Sequence, residues 1–173
     1  MIRSLLLALI LVSAPLLAQA QAGTPAAEHK FSVSTGLGFM SSIGSGAGSV
    51  SSFLWQIDAQ YFLTDAISAG LFMQVGTPDG GTIFFFAPDV RYHFNVMDKL
   101  NPYAGFGFGL AHAGSDFGLS DNGALFSFIA GVEYDIMDQV ALTSDMRFNA
   151  IAGNTANDSF IFTWQIIGAR YRF

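Results

Sequence analysis

From Phe31 onward, bulky apolar residues recur at every second position. Phe31, Val33, Thr35, Leu37 and Phe39 alternate with Ser32, Ser34, Gly36 and Gly38. Phe53, Trp55, Ile57, Ala59, Tyr61 and Leu63 alternate with Leu54, Gln56, Asp58, Gln60 and Phe62. A third segment sets Ile67, Ala69, Leu71, Met73 and Val75 against Ser68, Gly70, Phe72 and Gln74. A fourth sets Phe84, Phe86, Pro88, Val90, Tyr92 and Phe94 against Phe85, Ala87, Asp89, Arg91 and His93. The fifth runs Ala104, Phe106, Phe108, Leu110 against Tyr103, Gly105, Gly107, Gly109. The sixth runs Phe126, Phe128, Ala130, Val132, Tyr134 against Ser127, Ile129, Gly131, Glu133, Asp135. Val140, Leu142, Met146 and Phe148 oppose Ala141, Thr143, Asp145 and Arg147 in the seventh. In the last, Ile161, Thr163, Ile167, Ala169, Tyr171 and Phe173 oppose Phe162, Trp164, Gly168, Arg170 and Arg172. A period of two is the signature of strands with two unlike faces, so the pattern predicts eight antiparallel strands.

Every charged residue within these strands falls on the second phase. Two closed barrels give such a segregation. A soluble barrel places the bulky phase inside and covers its outside with charge. A membrane barrel turns the bulky phase toward lipid. The second phase here is Gly, Ser, Gln and Ala with few charges and no lysine, which suits a narrow, crowded lumen better than a wetted surface. Connection lengths agree. Short links at Thr64-Asp65, Met97 to Lys99 and Met137 to Gln139 alternate with the longer stretches Ser41–Ser51, Gly76–Gly81, His112–Gly123 and Ala150–Ser159. Short periplasmic turns and longer external loops are the habit of outer-membrane barrels, and an even strand number places both termini in the periplasm. Two residues fit poorly. Pro88 removes a ladder hydrogen bond in mid-strand, for which a bulge is expected. Gln165 falls on the lipid phase, and Trp164 beside it on the lumen phase.

The start of the chain explains how such a protein reaches a membrane. Arg3 precedes the apolar stretch Leu5 to Leu17, and Ala18-Gln19-Ala20 fits a small-x-small cleavage pattern. Residues 1–20 are therefore expected to be a signal peptide cut after Ala20 or Ala22, with 23–29 a flexible lead-in and 30–173 the barrel. The apolar run is too short to span as a helix, which takes about 20 residues. No later segment is longer, so a closed barrel is the remaining way for this chain to satisfy its backbone in lipid.

Composition sharpens this picture. The chain of 173 residues is 51% apolar and 14% aromatic but only 12% charged, about half the charged fraction of a soluble domain. Lysine, the usual guard of a soluble sheet edge, occurs only at Lys30 and Lys99. The net charge is -6, and without Arg3 six basic residues face thirteen acidic ones. That balance excludes nucleic acid as a partner, since nucleic-acid binding needs a basic footprint. With no cysteine there is neither a disulfide framework nor a thiolate metal site.

Two segments resemble the small outer-membrane barrel family that includes OmpX, the OmpA barrel domain and the opacity proteins. One is Pro102-Tyr103-Ala104-Gly105-Phe106-Gly107-Phe108-Gly109. The other is the terminal Gly168-Ala169-Arg170-Tyr171-Arg172-Phe173. Val90 to Phe94 and Gly131 to Tyr134 are similar in style. The resemblance implies an all-β, eight-stranded transmembrane barrel in the outer membrane. It also implies that Ile167, Ala169, Tyr171 and Phe173 form the signal read by the barrel assembly machinery. It implies no single activity, since members serve adhesion, envelope integrity or lipid chemistry.

The candidate chemistry lies on the inward phase. Asp58, Asp89, Arg91, Glu133, Asp145, Arg147 and Arg170, with Asp135 and Arg172 nearer the end, are expected to form a lumen charge network. Asp89 with Arg91, and Asp145 with Arg147, stand two apart and share a face. An eight-stranded barrel is just wide enough for side chains to fill it, so a packed polar plug is the main expectation and a narrow ion path the alternative. His93 is expected to join a hydrogen-bond network. His112, Ser115 and Asp116 contain the residue types of a hydrolase triad, which keeps a lipid-modifying enzyme as a further alternative, although residues this close in a loop rarely adopt triad geometry. His29, His93 and His112 lack metal-ligand spacing. Trp55, Tyr61, Tyr92, Tyr134, Tyr171 and Phe173 are expected at the membrane interfaces. The function expected is a non-enzymatic structural or surface-interaction barrel. It would need no cofactor, sit as a monomer in outer-membrane lipid and lipopolysaccharide, and carry an external-loop ligand that the sequence does not name.

Overall fold

The computed structural model describes residues 30–43, 51–78, 81–94, 96–115, 120–153 and 159–173. The signal segment 1–20 and the lead-in 23–29 lie outside the described residues. Eight strands follow in order: β1 (Phe31–Ile43), β2 (Ser51–Phe62), β3 (Ile67–Thr77), β4 (Gly81–His93), β5 (Leu100–Ser115), β6 (Ser120–Met137), β7 (Val140–Gly153) and β8 (Ser159–Arg172). Each pairs antiparallel with its sequence neighbours, and β8 returns to β1, so the sheet closes into a barrel. The closing seam is reinforced at its end, where Phe173 N–H donates to the Phe31 carbonyl at 2.8 Å. With no edge strand, every ladder group in the span has a partner strand, which lipid requires.

The terminal end of the barrel carries the links 63–66, 94–99 and 138–139. In the first of these, Thr64 Oγ1 accepts the Ile67 N–H at 3.0 Å and the Ala66 N–H at 3.3 Å, closing a hydroxyl-capped turn. The opposite end carries the links 44–50, 78–80, 116–119 and 154–158. These are shorter than the Gly- and Ser-rich stretches suggested, because the strands run on through them. His112 pairs with Asn122 and Gly114 with Ser120 across β5 and β6. Backbone ladders need no apolar side chains, so small polar residues extend them as readily. The 94–99 link is in fact longer than 78–80.

Pro88 causes no bulge. The β3–β4 register runs unbroken through Leu71↔Pro88, and that between β4 and β5 is the same before and after it. The bulge lies instead in β8. Both its neighbours change register at the same point: Leu37 pairs with Ile167 but Gly38 with Gln165, and Thr143 pairs with Gly168 but Asp145 with Gln165. Consecutive Ile166 and Ile167 therefore both face outward, 54% and 58% exposed. This reverses the alternation in the first half of β8. Gln165 is 1% exposed and lies in the lumen, while Trp164 is 37% exposed on the outer surface, the reverse of the assignment by uninterrupted alternation. Thr163 and Ile161 likewise turn inward. Ser144 holds the bulge from the outside. Its hydroxyl donates to the Gln165 carbonyl at 3.0 Å and accepts the Trp164 indole N–H at 3.2 Å.

Two glycines make room for the inward Gln165. A Cβ on Gly36 would come 2.5 Å from Gln165 Cδ, and one on Gly168 would meet Gln165 Nε2 and, at 2.6 Å, Thr143 Oγ1. Gly168→Ala is therefore expected to destabilise the folded barrel by about 1–3 kcal/mol, the usual range for overpacking. Gly114→Ala, whose Cβ would meet nothing nearer than His112 Nε2 at 3.8 Å, should be nearly neutral. Urea unfolding in lipid vesicles, followed by tryptophan fluorescence, measures both; equal midpoints for the two variants would contradict this account of the bulge.

Candidate functional site

The inward phase of the strands delivers a connected set of charged side chains to the terminal half of the lumen. Asp58 projects from β2, Asp89 and Arg91 from β4, Glu133 from β6, Asp145 and Arg147 from β7, and Arg170 from β8, all buried. Burial of so many charges in a low-dielectric space is tolerable only when each is paired and hydrogen-bonded. Arg91 Nε donates to Asp89 Oδ2 at 2.7 Å and its Nη1 stands 3.4 Å from Asp58 Oδ1. Arg170 Nη2 reaches the same Asp58 oxygen at 3.0 Å, while its Nη1 pairs with Glu133. Glu133 Oε2 is held in turn by Arg172 Nη2 at 2.8 Å, and Arg172 Nη1 reaches Asp135 Oδ1 at 2.7 Å. An unbroken chain of ion pairs thus runs Asp89–Arg91–Asp58–Arg170–Glu133–Arg172–Asp135, crossing the lumen from β4 to β2, β8 and β6.

Asp145 and Arg147 form a second pair at 2.9 Å, joined to the first by neutral groups. Tyr103 from β5 donates its hydroxyl to Asp145 Oδ2 at 3.2 Å. Its ring lies under the guanidinium of Arg91, 5.3 Å from the centroid, and that of Arg170 at 6.0 Å. Gly131, its partner across the ladder, provides the space, since a Cβ there would strike the ring. Phe72 lies beneath Arg147 at 4.1 Å. These two aromatic faces satisfy cationic planes that the carboxylates do not cover.

Amides and hydroxyls fill the remaining positions. Gln56 donates to Asp145 at 2.9 Å, Gln60 to Asp89 at 2.8 Å, Gln74 to the Gln56 side-chain oxygen at 2.6 Å, and Ser34 to Asp58. Gln165 Nε2 donates to Thr143 Oγ1 at 2.8 Å. His93 closes the terminal end. Its Nε2 lies 2.9 Å from Ser68 Oγ, and its ring lies between Phe62 and Tyr103, at 5.0 and 5.6 Å. The glutamines, Tyr103 and Phe72 carry as much of the network as the charges do. Only their inward phase, not their residue type, marks them in the sequence.

Ile167, Ala169, Tyr171 and Phe173 face outward on the terminal half of β8. Tyr171 stacks edge-on against Phe173 at 4.9 Å, and Phe173 packs on Phe31 at 5.7 Å. His112 stands at the opposite rim with Nδ1 2.8 Å from Asn122 Oδ1. Asp116 lies outside the described residues, so the His112, Ser115 and Asp116 grouping gains no geometry. Among the described residues no group of His, Asp and Glu side chains is arranged to hold a metal ion.

A family model described as "Outer membrane protein beta-barrel domain" matches residues 4–173. No curated protein matches the chain by sequence. Among solved structures the chain is similar to Neisserial surface protein A, at 20% identity and a TM-score of 0.74, covering 87% of this chain and 100% of that one. It is similar to Ail, the attachment invasion locus protein of Yersinia pestis, at 16% identity and 0.60, covering 84% and 99%. It is also similar to the outer membrane enzyme PagL, at 14% identity and 0.55, covering 82% and 99%. At these identities the likeness shows the fold alone. The match over nearly the whole chain, on a closed eight-stranded barrel with an apolar exterior, places this chain in the outer-membrane protein β-barrel domain family.

Proposed function

We propose that the protein is a non-enzymatic barrel of the outer membrane with a structural or surface-interaction role, its lumen sealed by the polar network and its ligand, if it has one, met at the loop end. The observation that carries this reading is the chain of ion pairs from Asp89 to Asp135, which crosses the lumen with side chains almost wholly buried. A conducting path would need those pairs to part, and each separation would leave a charge buried alone, which costs about 3–5 kcal/mol. Among the similar structures, one is printed as a surface protein and another as an attachment protein, which agrees with a role at the cell surface. In this reading residues 1–20 direct export and are removed, the short links face the periplasm, and the outer surface contacts lipid and lipopolysaccharide. The outward residues Ile167, Ala169, Tyr171 and Phe173 are read by the assembly machinery. No contact in the structure calls for a second copy, and a monomer is the simplest state.

Planar bilayers containing the purified protein should show no large, steady conductance. Arg170→Met, which strips Asp58 and Glu133 of their shared partner, should lower unfolding stability by about 3 kcal/mol and give brief, noisy openings. A steady wild-type current, or an Arg170→Met variant as stable as wild type, would overturn the sealed-lumen reading.

Phe173 separates assembly from stability. It is 60% exposed to lipid and packs only on the barrel's outer surface. Phe173→Ser should leave the refolded barrel within about 1 kcal/mol of wild type but reduce the heat-modifiable form in cellular outer membranes several-fold. Equal outer-membrane yields would remove the residue from the assembly signal.

A further inference from the structure

The lumen changes character along its axis. Toward the termini it is charged; toward the opposite end Met40, Leu54, Phe85, Leu125 and Ile161 form an apolar core. At the mouth this core is not filled. A cavity of about 200 Å³ remains, walled by Ile83, Phe85, Ala111, Ile151 and Ile161, with Asp121 at its rim. Glycine helps keep it open, since a Cβ on Gly123 would come 2.6 Å from Ile151 Cγ2. The cavity opens where Ala113 and Gly153 are exposed.

The charges at this end are of one sign. The four links and adjoining strand ends contain Asp79, Asp116, Asp121 and Asp158 and no lysine or arginine. Every cation of the barrel belongs to the charged half or the terminal end: Lys30, Arg91, Lys99, Arg147, Arg170 and Arg172. Asp121 Oδ1 already accepts the Asn122 N–H at 2.8 Å, and a carboxylate has room for further donors.

An apolar cup beneath a wholly acidic mouth matches a ligand with a hydrocarbon body and a positive head. We propose that the loop-end cup binds a small amphiphilic cation, an alkyl- or arylammonium whose apolar part enters between Ile83, Ile151 and Ile161 while its charge stays at the Asp121 rim. Size sets the upper bound. An engineered apolar cavity of about 150 Å³ takes benzene, and drug-sized ligands need about 300 Å³ or more, so the apolar part is a single ring or a short chain. An anion of the same shape would meet only carboxylates at the mouth. A neutral one would gain the burial without the field.

The test uses the full barrel in lipid nanodiscs with isoleucine methyl groups labelled for NMR, titrated with hexyltrimethylammonium, hexanol and hexanoate. The cation should give saturable shifts at Ile83, Ile151 and Ile161 and bind more tightly than hexanol, with hexanoate weakest. Outward Ile166 and Ile167 report mere partition into the bilayer. Asp121→Asn should weaken the cation about two- to fivefold, the span of an exposed ion pair, and leave hexanol unchanged. Ala111→Leu, which fills the cup from its floor, should abolish saturation for all three while the heat-modifiable gel band confirms a folded barrel. Shifts confined to Ile166 and Ile167, or equal affinity for cation and carboxylate, would overturn the proposal.

Discussion

A backbone in hydrocarbon has no water to which its N–H and C=O groups can turn, and each one left unpaired costs several kcal/mol. Closure of β8 onto β1 meets this constraint for the whole chain at once. Its consequences reach the side chains. A closed sheet has one outside and one inside, so a period of two sends each residue irrevocably to lipid or to lumen. With eight strands the inside is narrow, and whatever faces it must pack like a core. Charge is excluded from one phase by lipid and admitted to the other only with partners.

The lumen meets that second demand by redundancy. Asp58 serves both Arg91 and Arg170, and Glu133 serves both Arg170 and Arg172. Arginine suits this arrangement because its planar fork reaches two carboxylates while its face lies on an aromatic ring. Tyr103 and Phe72 supply those faces, and glycine across the ladder supplies the width. The network is thus inseparable from the small residues beside it. The same glycine and alanine content that reads as weak strand material in a soluble sheet is what lets large polar side chains fit in this one.

Most of this architecture is legible in the sequence because lipid enforces the alternation so strictly. The strands, their antiparallel order and the inward placement of Asp58, Asp89, Arg91, Glu133, Asp145, Arg147 and Arg170 follow from phase alone. Two things do not. Partners are set by register and side-chain reach, so nothing in the sequence pairs Arg170 with Asp58, far apart in the chain, or places Tyr103 against Asp145. Strand ends are also blurred, since Gly, Ala, Asn and Ser near the loop end read as turn residues yet continue the β5–β6 ladder as far as Gly114 and Ser120.

The bulge in β8 is the most instructive departure, because the sequence contains its cause. Uninterrupted alternation back from Phe173 would put Gln165 and Thr163 in lipid and Trp164 in the lumen. A glutamine amide in hydrocarbon would forfeit its hydrogen bonds, and an indole has no room in a lumen already crossed by Arg147 and Gln74. One extra residue at Ile166-Ile167 relieves both conflicts, since isoleucine at either position is welcome in lipid. Gln165 then reaches Thr143, Thr163 reaches Gln74, and Trp164 takes the Ser144 hydroxyl at the outer surface. The same phase reversal carries Ile161 inward to the apolar core. The boundary between the charged and apolar halves of the lumen therefore depends on that inserted residue: without it, β8 would turn Phe160, Phe162 and Trp164 into the cup and leave no cavity at the mouth.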